Sequence, residues 1–138
     1  MAIVAIDYGA RRIGVAVSTS GVLASPHSVL AHPGDLAALV ASIAEIGAEV
    51  GAERYVVGLP RRSRSGSADP ALEPYRRLAE ALGQKTRKEV VLWDESHTTT
   101  EAASLRRERG GRRRRDPIDR EAAAVILQAY LDAAGEGR

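Results

Sequence analysis

The sequence predicts an α/β domain built on a mixed sheet, and three observations carry that prediction. Two apolar runs of strand length, Ala2 to Ile6 and Ile13 to Val17, are joined by so short a connection that they can only pair antiparallel, as a hairpin. A helical period of apolar residues follows, and then a buried strand at Tyr55 to Leu59 (YVVGL), an order that implies a right-handed crossover into a parallel part of the sheet. A last amphipathic helix, with Ala122, Ala123, Ile126 and Tyr130 on one face, supplies a further packing surface.

At 138 residues the chain is read as one domain, 1–138, large enough to bury most of its apolar surface. It has no cysteine, which excludes disulfides and thiolate metal sites. No apolar stretch approaches membrane-spanning length, and the first basic residues follow the opening apolar run instead of preceding it, so a soluble cytoplasmic protein without membrane association is expected. Phe is absent and aromatics make up 4%, so the core must be Val, Ile, Leu and Ala, and aromatic stacking cannot be a main binding mode.

The first strand ends at Asp7, which opens a loop carrying Gly9, Arg11 and Arg12. Asp before Tyr-Gly is an ordinary turn former unless other acids reach the same point. Gly21 to Ala31 reads as a third strand, weakened by Pro26, which belongs at an edge or bulge. His27 and His32 have no acidic partners at ligand spacing and are read as surface residues. Pro33-Gly34-Asp35 is a turn ending in a helix N-cap, followed by Leu36, Leu39, Val40, Ile43, Ile46 and Val50 at helical spacing. After Leu59 comes Pro60 and a loop with Arg61, Arg62, Ser63, Arg64 and Ser65, whose cations, hydroxyls and backbone amides suit a phosphate. Asp69-Pro70 opens a helix stopped near Gly83.

Glu89 to Trp93 is the next strand, and it ends in Asp94-Glu95. Run parallel to the first strand, it brings these acids to the rim that carries Asp7, where open α/β sheets place their sites. Thr98 and Glu101 have the spacing of a capping box; His97 and Thr99 are candidate accessory residues beside the acids. From Arg106 to Arg115 the chain carries +6, against a net charge of +2 for the whole, and Arg112, Arg113, Arg114 and Arg115 are consecutive. The guanidinium fork suits phosphate oxygens. Asp116-Pro117 then opens the last helix, with Asp119 heading its apolar stripe.

Asp7, Glu95 and Asp119 converge if the first strand and the strand before Glu95 are neighbours and the last helix covers their ends. Three carboxylates in one partly buried site must raise their pKa values or bind a cation. Oxygen ligation without Cys or clustered His favours Mg2+ or Mn2+, and a pair of such ions supports phosphodiester hydrolysis. With Arg11, Arg12, Arg61, Arg62, Arg64, Ser65 and Arg112 to Arg115 as phosphate binders, the residues read as a metal-dependent endonuclease. Asp94 is the alternative to Glu95 as ligand.

The segments IDYGARRIGVAVS, VVGLP with its loop ending in Gly66-Ser67, WDES with TTTEA, and DREAAAVILQAYL resemble, in order, the four motifs of the bacterial YqgF/RuvX family of Holliday-junction-resolvase-like pre-16S rRNA nucleases. The resemblance spans Ala2 to Leu131. It implies an RNase H-like fold, with a mixed five-stranded sheet and helices on both faces, and divalent-metal nuclease chemistry on four-way DNA junctions or the 5′ end of pre-16S rRNA. The family's acids fall on Asp7, Glu95 and Asp119. Ser96 stands where the family has Arg, the loop after Leu59 is cationic where the family's is acidic, and the acid that resolvases proper carry at the end of the VVGL strand is missing. Partners implied are nucleic acid and the ribosome, with the protein a monomer or homodimer. The alternatives are a non-catalytic RNA or ribosome binder on the same fold and an ATP-binding protein of the actin or sugar-kinase type, whose first phosphate loop is also Asp-x-Gly.

Overall fold

The computed structural model describes residues 1–9, 11–59, 70–94 and 120–136. They form strands β1 (Ala2–Tyr8), β2 (Arg12–Ser18), β3 (Ser25–Ala31), β4 (Ala52–Leu59) and β5 (Glu89–Asp94), and helices α1 (Leu36–Val50), α2 (Glu73–Thr86) and α3 (Arg120–Glu136). The strands make one sheet in the order β3-β2-β1-β4-β5. β1 pairs antiparallel with β2, and β2 with β3, whereas β1, β4 and β5 are parallel. The expected mixed five-stranded sheet is therefore present. Its central strand β1 is buried from Ala2 through Asp7, as a strand covered on both faces must be.

Strand alternation sorts the core into two layers. Val4, Ile6, Ile13, Val15, Tyr55 and Val57 point toward Leu39, Val40, Ile43 and Ile46 of α1 and Leu78 and Leu82 of α2. Ile3, Ala5, Ala16 and Val56 point the other way, toward Ala123, Ile126, Leu127, Tyr130 and Leu131 of α3. Helices thus cover both faces. Among the described residues no helix is long and apolar enough to cross a membrane.

Local chemistry sets the boundaries. Asp35 caps α1, its side chain accepting from the Ala37 N–H at 3.3 Å, and Gly51 closes it at φ +72°. Pro26 lies on the edge strand at a register shift between Val15 and Ala16, so its missing N–H costs no ladder bond. Helix α2 differs from expectation. Pro70–Leu72 forms a 3-10 turn before it, and the helix runs through Gly83 to Thr86, ending at Arg87 in the left-handed region. Leu82 is fully buried and holds the last turn to the sheet, which outweighs the ~1 kcal/mol that a mid-helix glycine costs.

Helix α3 runs antiparallel to β4. Ile126 meets Gly58 near the end of β4, while Tyr130 accepts a 2.9 Å hydrogen bond from Arg54 near its start. That bond and the Glu89 carboxylate, 2.9 Å from the guanidinium, raise the Arg54 pKa above its ordinary value against the opposing effect of burial. Gln128 of α3 also pins the connection between β2 and β3, donating to the Val22 carbonyl and accepting from the Ala24 N–H, each at 2.9 Å.

Burial raises the Tyr55 hydroxyl above its ordinary pKa of 10.0. The unfolded chain therefore releases this proton before the folded one does, so the stabilisation is intact below pH ~10 and is lost as pH rises toward the folded value. Urea midpoints measured between pH 8 and 11.5 are expected to fall above pH 10, and Tyr55→Phe to fall less steeply. Parallel curves for the two proteins would contradict this assignment.

Candidate active site at the carboxyl rim of the sheet

β1, β4 and β5 all end on one edge, and the hairpin turn from β1 to β2 lies there too. The helices that follow β3 and β4 start there, and α3, antiparallel to β4, also has its N-terminus at this edge. The rim is where the fold places a site.

Asp7 is the penultimate residue of β1 and only 9% exposed. It is not a loop residue: the strand extends through Asp7 and Tyr8 because Asp7 pairs with Gly14 and Tyr8 with Ile13 on β2. Alternation from Ile3 and Ala5 puts the Asp7 side chain on the α3 face. Its cross-strand partner on one side is Gly14, which is buried. On the other side Gly58 stands one residue beyond the last paired residues, Ile6 and Val57. A Cβ at Gly58 would come within 2.8 Å of Ile126 Cδ1, so this glycine lets α3 lie close over the rim. Asp7 is therefore the side chain that projects from this level of the sheet between two glycines.

The expected adjacency of β1 and β5 is corrected by the sheet order. β4 lies between them, because the crossover through α1 inserts β4 beside β1, and at ~4.8 Å per strand β5 stands ~10 Å away. Gly58, on the intervening strand, carries no side chain to fill that gap. On β5, Val91 and Trp93 pack on the α3 side, and the Trp93 ring meets Tyr130 edge-on at 5.4 Å. Asp94, level with Leu59, consequently alternates to the α2 side, away from the face that holds Asp7.

Arg11 and Arg12 are exposed at the rim, where the Arg11 carbonyl accepts from His32 N–H and the Arg12 carbonyl from Gly9 N–H, at 2.8 and 3.1 Å. Glu95, Asp119, Arg61, Arg62, Arg64, Ser65, His97, Thr99 and Arg112 to Arg115 lie outside the described residues. Among the described residues no three His, Asp or Glu side chains form a metal-holding group.

Two features of the rim were not legible in the sequence. Gly58 reads as one more residue of an apolar strand, and its role depends on a helix far along the chain. Tyr8 and His32 read as unrelated, yet Tyr8 Oη and His32 Nε2 are 3.2 Å apart, and the Gly34 N–H donates to His32 Nδ1 at 3.0 Å. In the neutral ring the proton then sits on Nε2 and is donated to Tyr8. The turn at Gly34 is the local signal that could have shown His32 to be held, not free on the surface.

This arrangement is that of the Holliday junction resolvase fold. The chain superposes on Thermus thermophilus RuvC with a TM-score of 0.66 at 15% identity, covering 99% of this chain and 97% of that one. It superposes on T. thermophilus RuvC in complex with a Holliday junction substrate with a TM-score of 0.62 at 16% identity, covering 99% and 96%. The family model for RuvX, described as Holliday junction resolvase, matches residues 1–133, and the chain belongs to that family. It is 40% identical to a protein of Pelotomaculum thermopropionicum named "Putative pre-16S rRNA nuclease", covering 100% of this chain and 91% of the relative. A Moorella thermoacetica protein of the same name is 37% identical, covering 99% and 98%.

Proposed function

We propose that the protein is a divalent-metal-dependent endonuclease that cuts a structured RNA precursor, with Asp7, Glu95 and Asp119 as its metal ligands. The observation that carries this reading is the setting of Asp7: a buried carboxylate on the α3 face of the carboxyl rim, flanked by glycines. Glu95 is bonded to Asp94 at that rim, and Asp119 to Arg120 at the start of α3. The opposite facing of Asp94 favours Glu95 as the β5 contribution. In the sequence Asp119 stands three and four residues before Ala122 and Ala123, which are both buried, the spacing expected of a residue that belongs to their face.

The donor set fits Mg2+ or Mn2+, since carboxylate oxygens without thiolates select hard ions. When bound, such ions activate water and stabilise the leaving oxygen of a phosphodiester. The chain's own part is to fix Asp7 on a strand buried on both faces and to gather cations around the phosphate. Arg11 and Arg12 are exposed beside Asp7, and the segments holding Arg61, Arg62, Arg64, Ser65 and Arg112 to Arg115 begin or end at the same rim. The relatives' name supports precursor rRNA as the substrate, and a cytoplasmic location is part of the same proposal; the likeness to RuvC, at 15% identity, supports the fold and leaves four-way DNA as the second substrate to test.

The test is cleavage of labelled pre-16S rRNA 5′ leader and of four-way DNA junctions, side by side, with manganese, magnesium or chelator. Metal-dependent cuts in the RNA are expected. Cuts confined to the junction would transfer the reading to DNA, and binding without cleavage in every condition would replace it with a non-catalytic RNA binder.

A further inference from the structure

A cavity of about 290 Å3 lies on the other face of the rim, lined by Tyr8, Leu36, Glu73, Pro74 and Arg77. Tyr8 is the last residue of β1, Leu36 the first of α1, and Glu73 and Pro74 the first of α2. The cavity therefore opens at the same edge of the sheet as Asp7. The Tyr8 ring is held in place from two sides, edge-on to Tyr75 at 5.6 Å and 85°, and against His32 at 5.6 Å with the 3.2 Å hydrogen bond. Arg77 Nε donates to Glu73 Oε2 at 3.3 Å.

We infer that this cavity receives an unstacked nucleobase of the strand whose phosphate lies at Asp7, an inference that rests on the nuclease reading above. Its walls suit a base better than a phosphate. One ring, Leu36 and Pro74 offer apolar and aromatic surface, and the Glu73 carboxylate repels an anion. Glu73 and Arg77 together present an acceptor and a donor, as a base edge requires. The volume falls just below the range of drug-sized pockets, ~300–1,000 Å3, and so suits one planar ring system. Asp7 and Tyr8 are consecutive, their Cα atoms ~3.8 Å apart, and they point to opposite faces. A strand crossing the rim can thus place its phosphate on one side and an adjoining base on the other. A base inside a duplex cannot make this turn, so the substrate class is a phosphodiester flanked by an unpaired nucleotide.

The test uses the full chain with chelator and a single-stranded RNA pentamer, compared with the same pentamer carrying one central abasic site. The intact pentamer is expected to shift the Leu36 methyl resonances and to bind about tenfold more tightly than the abasic one. In Leu36→Trp, which fills the cavity, the two oligomers should bind alike. Arg77→Ala, on an exposed side chain, should narrow the difference too and guards against misfolding of the tryptophan variant. Equal affinities of the two oligomers for the native protein, or Leu36 shifts produced equally by ribose 5-phosphate, would overturn the inference. Cleavage with manganese is scored separately: cuts without a base effect remove the cavity's role alone, whereas a base effect without cuts keeps it and removes the nuclease.

Discussion

Asp7→Asn is expected to abolish metal-dependent cleavage while leaving the protein folded. Loss of an outer partner of a metal site costs ~10–100-fold in affinity or activity, so loss of a ligand should exceed the upper figure. The substitution keeps the shape of the side chain and one of its two oxygens. It removes a charge from a position that is only 9% exposed. Because the side chain keeps its shape, the variant without metal should melt within a few degrees of the native protein. With manganese, the native protein should gain stability that the variant does not, because an ion that binds the folded state stabilises it in proportion to its occupancy. Single-turnover rates and melting curves with and without manganese check both halves. Cleavage by the variant within tenfold of native would remove Asp7 from the ligand set.

The frame around Asp7 could be read before the structure because its determinants are local. The hairpin follows from the length of the Asp7 to Arg12 connection, and the start of α1 follows from Asp35, whose side chain does cap it. Proximity of β1 and β5 was a different matter. Their order depends on which side of β1 the crossover strand docks, and no residue of either strand encodes that. The facing of Asp94 needed the register of β5, which is anchored by the contact of Trp93 with Tyr130 on α3. Gly58 illustrates the same limit from the other side. A glycine in YVVGL carries no sign of what approaches it, and only Ile126, on the last helix, gives it a purpose. Gly83 misleads in the opposite way, because the burial of Leu82 decides where α2 ends and the glycine's propensity does not.

A glycine with the largest structural consequence lies away from the rim. Gly47, buried in α1, faces the Tyr55 ring of β4, and an added Cβ would stand 2.8 Å from Cζ and 3.0 Å from Cε2, and nearer still to the hydroxyl oxygen. Tyr55 is 2% exposed, so its ring has nowhere to move. Gly47→Ala gains helix propensity, up to ~1 kcal/mol, while overpacking of a filled core costs ~1–3 kcal/mol. A clash involving three atoms of a rigid ring belongs at the upper end, so a net loss of ~2 kcal/mol is expected, lowering the melting temperature by roughly 5–10 °C. Tyr55→Phe deletes the nearest clashing atom and leaves the ring. The double variant should then lose less than the sum of the two single losses, with a coupling of at least ~1 kcal/mol, because the methyl occupies space the hydroxyl has vacated. The remaining approach to Cζ keeps the rescue partial. Urea midpoints of the four proteins measure the cycle, and strictly additive losses would mean that Gly47 and Tyr55 do not share that space. Both residues sit toward the end of the sheet opposite Asp7, near the close of α1 and the start of β4. Cleavage by the double variant at a temperature where it is folded should therefore match the native rate, separating what holds the scaffold from what acts at its rim.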